Sequence, residues 1–481
     1  MTMAYNNFTF SLDEIRETAK HNRLLSLEIE PTLRCNYKCP YCYVAHNKVP
    51  DDELSFDELC DVIDQAQKLG ARKIVILGGE PLIYPEIFTL IDFINSYGMN
   101  CELFSNGALL SADKAHKLFE RKVNLVLKLN SFNPDVQANL TGDAAALEKS
   151  LKAIENARQA GYPAPDARLA ISTIISNSNI NEMEQLWRYT RDNGFLPYFE
   201  MITPQGGANA NNWLLPESDK IKEVFELLST VDREYGHHWT PRPPLVGDRC
   251  MRHLYSCLVT STGKVFPCVG IDEAVGNVRE TPLKNIIHDS EIIQDLRCYA
   301  DKIKGSCRSC ELHSECFGCR GAAYQLTGDW LASDPLCWKH DVAGSAIDFL
   351  PVDAGRFIPH QFPVRMIDTL DEIGEKSAVA SVRVSPSIPF AGKDGQLADS
   401  VFMEMIAQTM AANDGFLRGA PCDGVIIGVN NYSAHAGARV GDELKISICK
   451  EVKFGNWGIV KGYVRKGDVL IAEGEIKVWK D

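Results

Sequence analysis

The chain has 481 residues, enough for roughly two to four domains, and its 45% hydrophobic and 24% charged residues exclude a disordered, collagenous or coiled-coil protein. Fifty Lys plus Arg against 64 Asp plus Glu leave a net charge of -14, which argues against DNA or RNA as the main partner. Sixteen cysteines stand behind a start, MTMAYNNFTFSLDEIRE, without the basic run and apolar core of a secretory leader, a combination expected of a cytoplasmic metal-binding protein rather than a disulfide-held one.

In chain order, LLSLEIE at 24–30, KIVILGG at 73–79, CELFSNG at 101–107, NLVLKLN at 124–130, RLAISTIIS at 168–176 and PYFEMIT at 197–203 read as six strands. Amphipathic stretches between them, such as SFDELCDVIDQAQKLG, ADKAHKLFERK and MEQLWRYTRDNG, read as helices, and the first closes on Gly70. This alternation predicts an α/β unit over 1–235, either a partial (β/α)6 TIM-type barrel or an open sheet, with chemistry at the C-terminal ends of the strands. The most apolar stretch, Lys73 to Ile94, is broken by Glu80, Pro81, Pro85, Glu86 and Asp92, so no membrane span is expected. From Gly206 to Pro244 the chain reads as irregular. A cysteine-rich segment over 236–345 follows with little period of its own, and is expected to fold around metal. FLPVDAGRFIPHQFP reads as a linker or domain edge. An α+β unit over 355–481 then sets the helix SVFMEMIAQTMAAN against alternating strands.

Chemistry concentrates in the cysteines. Cys35-x3-Cys39-x2-Cys42, with Tyr41 before the last, follows the first strand directly. Three close thiols suit three irons of a [4Fe-4S] cluster with one iron open, a zinc site lacking its fourth ligand, or three buried structural cysteines. Downstream, Cys250, Cys257, Cys268, Cys307, Cys310, Cys316, Cys319 and Cys337 would satisfy two clusters of four thiolates. The two CxxC pairs also suggest a zinc ribbon, but the five residues between them fall far short of the roughly fifteen to twenty of that loop. Cys60, Cys101, Cys298, Cys422 and Cys449 have no partner at metal spacing and are expected to pack as small hydrophobes.

The first motif, on a loop after the first strand of a βα unit, resembles that of the radical S-adenosylmethionine (radical SAM) superfamily, and three further matches follow in order. Gly78-Gly79-Glu80-Pro81 is similar to the family's motif for the methionine amino group, and Ser105-Asn106-Gly107 to its ribose-contacting turn. Lys128 and Ser172 occupy places where relatives contact the methionine carboxylate or ribose, although a lysine departs from the commoner pattern. The resemblance implies reductive cleavage of S-adenosylmethionine to a 5′-deoxyadenosyl radical that abstracts hydrogen from substrate, an oxidoreductase-type reaction fed by flavodoxin or ferredoxin.

The second region resembles the SPASM extension of such enzymes. Twelve residues separate Cys250 from Gly263 and four separate Gly263 from Cys268, as in that pattern. The resemblance implies three [4Fe-4S] clusters in all, with Cys250, Cys257, Cys268 and Cys319 on the first auxiliary cluster and Cys307, Cys310, Cys316 and Cys337 on the second. Two residues, where the pattern has three, separate Cys316 from Cys319. Peptide maturation, common among SPASM relatives, is the alternative function, although residues 1–23 are short for a leader-binding domain. The sulfatase-maturing subgroup is disfavoured, because Val269 stands where it has aspartate and Asp272 lies three residues on.

The last unit is similar to the hotdog fold of 3-hydroxyacyl-ACP dehydratases, in which a histidine before the helix pairs with an acid on it. Glu404 matches the acid. Ser385–Ser400 holds no histidine, and the domain's histidines, His360 and His435, are expected to be turn or surface residues. The expectation is therefore a fold without dehydratase chemistry that keeps an acyl-binding tunnel or a homodimer interface, presenting an acyl thioester or acyl carrier protein.

Overall fold

Strands β1 (Ser26–Ile29), β2 (Lys73–Ile76), β3 (Asn100–Ser105), β4 (Asn124–Lys128), β5 (Leu169–Ile175) and β6 (Leu196–Met201) lie parallel and in chain order in the computed structural model. It describes residues 10–44, 50–313, 316–339, 351–360, 363–374, 376–386, 388, 390–392, 394–418, 424–454 and 457–479. Every residue of β1, β2 and β5 is buried, as expected of parallel strands covered on both faces. Helices α1 (Leu12–Lys20), α2 (Phe56–Lys68), α3 (Ile87–Ser96), α4 (Ala112–Glu120), α5 (Pro134–Thr141), α6 (Ala146–Ala160) and α7 (Met183–Asp192) accompany them. Their starts are written locally: Ser55 and Glu58 close a capping box on α2, Ser111 caps α4, and Asn133 followed by Pro134 opens α5.

Three departures from the sequence reading have clear physical causes. The stretch taken as irregular holds a short turn of helix, α8 (Gly207–Ala210), and the 17-residue α9 (Ser218–Glu234), whose Ile221, Val224, Phe225, Leu228 and Val231 form a buried stripe. The flanking Gly and Pro clusters masked that stripe.

The cysteine-rich segment is also no independent loop. After α10 (Arg252–Tyr255), β7 (Leu258–Val259) pairs parallel with the free edge of β1, and β8 (Lys264–Phe266) and β9 (Gly276–Asn277) extend the sheet to nine strands. Beside them Phe10, Ile15, Met251, Leu254, Tyr255, Tyr299, Phe317 and Leu331 form a separate core. Buried Arg320 donates to the carbonyls of Phe317, Trp330 and Ala332, and buried Asp334 accepts from the amides of Cys319 and Leu336. Apolar packing and these buried hydrogen bonds therefore order the segment, in addition to the metal on which the sequence led it to be expected to depend. Contacts group the chain into two units, Met1–Asp341 and Val342–Asp481.

Third, the stretch read as a linker contributes β10 (Val352–Asp353) to the second unit's own sheet. With β11 (Thr369–Glu372), β12 (Ser377–Arg383), β13 (Val425–Ala434), β14 (Glu443–Phe454), β15 (Trp457–Lys466) and β16 (Val469–Trp479) it forms an antiparallel sheet in the order β10-β11-β12-β14-β15-β16-β13. The helix Ser400–Arg418 packs on this sheet through Phe402, Met405, Ile406 and Met410, the arrangement expected of a hotdog unit. Gly462 permits the close approach, since a Cβ there would fall 2.5 Å from the Ile406 side chain.

One buried charge locks α7 to α9. The fully buried Asp232 accepts from Arg191 Nε and Nη2 at 2.7 and 2.6 Å and from the indoles of Trp187 and Trp239 at 2.8 Å each. Removing one partner of such a set leaves the other charge uncompensated in the interior. Asp232→Ala is expected to lower unfolding free energy by about 3–5 kcal/mol, read from the denaturant midpoint under anaerobic conditions.

Candidate active site

The loop from Glu30 to Tyr43 leaves the C-terminal end of β1, and backbone bonds from several directions hold it. Gly79 and Glu80 donate to the carbonyls of Thr32 and Arg34 at 2.9 and 2.8 Å, Lys38 donates to Thr141 at 3.0 Å, and Gly207 donates to Cys42 at 2.8 Å. The approaches need glycine. A Cβ on Gly79 would lie 2.2 Å from the Arg34 carbonyl oxygen, and one on Gly206, at φ +56°, 2.4 Å from that of Tyr43. The glycines of the GGEP motif thus first serve to seat the cysteine loop.

Glu80 is fully buried and satisfied by three donors: the Leu82 amide, the Ser105 hydroxyl and the Asn106 amide, at 3.0, 2.8 and 2.8 Å. It stitches the turn after β2, where Pro81 begins a short 3-10 helix, to the turn after β3. Asn106 in turn donates to Asn36 at 2.9 Å and lies 3.9 Å from the Cys35 sulfur. Lys128, a surface residue by default, instead points inward: Nζ donates to Ser172 Oγ at 3.0 Å, lies 3.7 Å from Glu200 and stands 5.7 Å from the centre of the Tyr41 ring. Every residue of the GGEP and SNG turns, with Lys128, Ser172 and Tyr41, therefore gathers at one end of the sheet.

Several participants were not read from the sequence. Asn130 donates to the Tyr41 hydroxyl at 2.9 Å, and Tyr43 donates to Glu30 at 2.6 Å. Burial raises the Glu30 carboxyl to about 7 despite that bond. Deeper in the sheet, Glu28 lies 3.5 Å from Arg252, Arg252 bonds the Tyr198 hydroxyl, and Lys73 lies 3.5 Å from Glu102. Their signal was present: isolated charges inside otherwise apolar strands, Glu28 in SLEI and Glu102 in NCELFS, mark a polar face that a parallel sheet must satisfy internally. The larger of two described cavities, about 430 Å³, opens beside Lys73, Asn100, Asn124 and Arg168. Those residues lie at the first ends of the strands, away from the cysteine loop, and parallel βα units place their chemistry at the other end.

The thiols suit iron-sulfur ligation. Cys35, Cys39 and Cys42 lie within electrostatic reach of one another, and burial pushes Cys39 up to about 12 and Cys42 up to about 11. The buried Tyr37 hydroxyl and Gln205 Oε1, beside the same loop, have no hydrogen-bond partner among the described residues. No three His, Cys, Asp or Glu side chains among the described residues converge as they would on one ion. A four-iron cluster asks for less convergence, because each thiolate takes a different iron. In the cysteine-rich segment, Cys268 and Cys319 lie within reach of each other and of Cys250, while Cys337 lies within reach of Cys307 and Cys316. Lys339 senses both Cys310 and Cys337. Cys257 stands apart in the main core. Asp272 accepts from Gln325 at 2.7 Å.

In the second unit, His360 was expected to be a turn or surface residue, yet its Nε2 lies 3.9 Å from Glu404 Oε1. Both line a cavity of about 220 Å³ with Val364, Met366, Phe390, Ser400 and Val401. The His360 Nδ1 is buried with no hydrogen-bond partner among the described residues. Gln408 braces Glu404 at 2.9 Å. The other histidine, His435, pairs at 3.2 Å with Glu473 on the neighbouring strand.

Comparison with known proteins agrees with this geometry. Residues 29–189 match the radical SAM superfamily, 250–311 an iron-sulfur cluster-binding (SPASM) domain, and 352–481 the ApeP dehydratase family. The chain is 29% identical over 342 residues to an AdoMet-dependent heme synthase of Methanosarcina barkeri, covering 66% of this chain and 96% of that one. It is 28% identical over 331 residues to a PqqA peptide cyclase of Streptomyces rochei, covering 64% and 88%. Streptococcus suis SuiB bound to S-adenosylmethionine shares the fold, with a TM-score of 0.53 at 17% identity over 67% of this chain and 80% of that one. The chain thus carries radical SAM, SPASM and ApeP-like dehydratase domains, and with the first two S-adenosylmethionine and iron-sulfur clusters as cofactors.

Gly79→Ala tests the seating of the loop. A methyl group 2.2 Å from the Arg34 carbonyl must displace it, and anaerobic reconstitution is expected to yield about four fewer irons per chain than wild type, while the thermal midpoint of the second unit stays unchanged.

Proposed function

We propose that this chain, with its radical SAM, SPASM and ApeP-like dehydratase domains, cleaves S-adenosylmethionine reductively and abstracts hydrogen from an acyl- or carrier-linked substrate. A [4Fe-4S] cluster held by Cys35, Cys39 and Cys42 would supply the electron that splits the sulfonium into methionine and a 5′-deoxyadenosyl radical. The remaining work falls to side chains that bind and orient. Lys128, aimed by Ser172 and Glu200, offers a cation for the methionine carboxylate. Asn106, anchored to Asn36, offers an amide to the ribose. Glu80 holds the GGEP and SNG turns in register, so that backbone groups rather than its saturated carboxylate meet the cofactor. The polar set Glu28, Arg252 and Tyr198 lies next to Cys250. Two auxiliary [4Fe-4S] clusters would conduct electrons, in an oxidoreductase-type reaction fed in the cytoplasm by flavodoxin or ferredoxin.

The acyl reading rests on one observation: the second unit's cavity sets an acid and an imidazole, Glu404 and His360, beside apolar Val364, Met366, Phe390 and Val401. An apolar cleft with a few convergent polar groups fits a fatty or polyketide-like thioester from CoA or an acyl carrier protein. His360→Ala is expected to weaken binding of an acyl carrier protein thioester about tenfold, near 1.4 kcal/mol, in a titration followed by anisotropy, with 5′-deoxyadenosine release in the absence of substrate unchanged. Equal affinity in both proteins would remove the cavity from substrate binding.

Peptide or protein maturation is the second reading, favoured by the PqqA peptide cyclase relative, whose match covers 64% of this chain. Under it the second unit serves assembly alone. Its edge strand β13 leaves Val425, Ile427 and Val429 at 63%, 56% and 45% exposure, a surface suited to a homodimer in either reading. Ile427→Lys is expected to convert a dimer to a monomer in light scattering. A screen of the anaerobically reduced enzyme against acyl-CoA, acyl carrier protein and peptide substrates, with 5′-deoxyadenosine as readout, separates the two readings.

A further inference from the structure

The eight downstream cysteines invite an even division into two sets of four, yet the pleat of one strand separates Cys257 from its expected companions. In the parallel pairing of β1 with β7, Glu28 stands opposite Leu258 and Ile29 opposite Val259. Side chains alternate along a strand, so Leu258 shares the face of Glu28, while Cys257 and Val259 share the opposite face with Leu27 and Ile29. The packing agrees. Cys257, 2% exposed, belongs with Leu27, Ile29 and Val259 to the main apolar core, and Arg297, on the helix Glu291–Arg297, acts on it more strongly than Glu28 does. Its carbonyl is also committed, accepting from the Glu28 amide at 3.0 Å.

The other three cysteines converge on the Glu28 side. Gly270 and Gly321 touch backbone to backbone: a Cβ on either would fall 2.7 to 2.8 Å from the other's Cα. This contact brings the turn after Cys268 against the helix that Cys319 caps. Thr203, just beyond β6, lies 4.0 Å from the Cys319 sulfur. Cys250, beside Arg252 and Glu28, lies within electrostatic reach of both Cys268 and Cys319.

We infer that the first auxiliary cluster is held by Cys250, Cys268 and Cys319 alone, that Cys257 is a packing residue, and that one iron of that cluster keeps an exchangeable position for a small ligand such as cyanide or imidazole. This rests on the reading of the cysteine-rich segment as two clusters and is tested apart from it. Cys35, Cys39 and Cys42 are first replaced together by alanine, so that only auxiliary iron remains. That variant is expected to hold about eight irons per chain. Adding Cys257→Val, a volume-matched core residue, should leave the count and the reduced-state EPR spectrum unchanged, whereas adding Cys268→Ala should remove about four irons. Cyanide should shift one of the two auxiliary EPR signals in the parent variant, a measurement that needs no change at residue 257. A fall to about four irons with Cys257→Val, or no cyanide shift, would overturn the inference and leave the two-cluster reading standing. A parent variant with no iron would overturn both.

Discussion

The pairing of β7 with the outer edge of β1 organises the first unit. A six-stranded parallel sheet built in chain order leaves β1 with one unsatisfied row of amides and carbonyls, and the cysteine-rich segment fills it. Leu25 donates to Tyr255, Glu28 to Cys257 and Glu30 to Val259, at 3.0 to 3.1 Å. Because β1 also launches the Cys35–Cys42 loop, this ladder sets the register of both thiol groups against one strand. It also decides which cysteines of the second group face the polar side of the sheet, because alternation leaves no freedom once Glu28 and Leu258 are opposed.

Above the strand ends, the chemistry depends on saturation of a few buried polar groups. Glu80 has three donors, Asn130 bonds Gln137, Ile174, Asn179 and Tyr41, and Glu53 holds Thr32 and Leu33. Such networks are costly when half-made and rigid when complete, which suits a site that must hold a reactive cofactor in one pose. The glycines do the complementary work by removing side chains where backbones meet: Gly79 against Arg34, Gly206 against Tyr43 and Gly270 against Gly321.

The second unit follows another logic. Its antiparallel sheet wraps the helix Ser400–Arg418 so that Glu404 points toward the segment before β11, where His360 lies. The histidine's sequence position, 44 residues ahead of the acid, gave no hint of that meeting. Phe390 lines the same cavity from the stretch expected to carry a histidine. Apolar Val364, Met366 and Val401 line the rest of the cleft, which holds the imidazole and the carboxylate.

Residue pattern alone determined a good deal. The six barrel strands, the helices closing on Gly70 and opening on Ser55 and Ser111, the three motifs at strand ends and the hotdog helix are local features, written by periodicity, caps and spacing that depend on near neighbours. Tertiary structure decided what spacing cannot carry. It turned Lys128 inward onto Ser172 and Tyr41, brought His360 to Glu404, gave β1 its partner β7, and packed Cys257 with Leu27 and Ile29 in the main apolar core. Each of these outcomes depends on which edge a strand pairs with or which face of a pleat a side chain occupies, and a one-residue change of register reverses that choice without altering any motif.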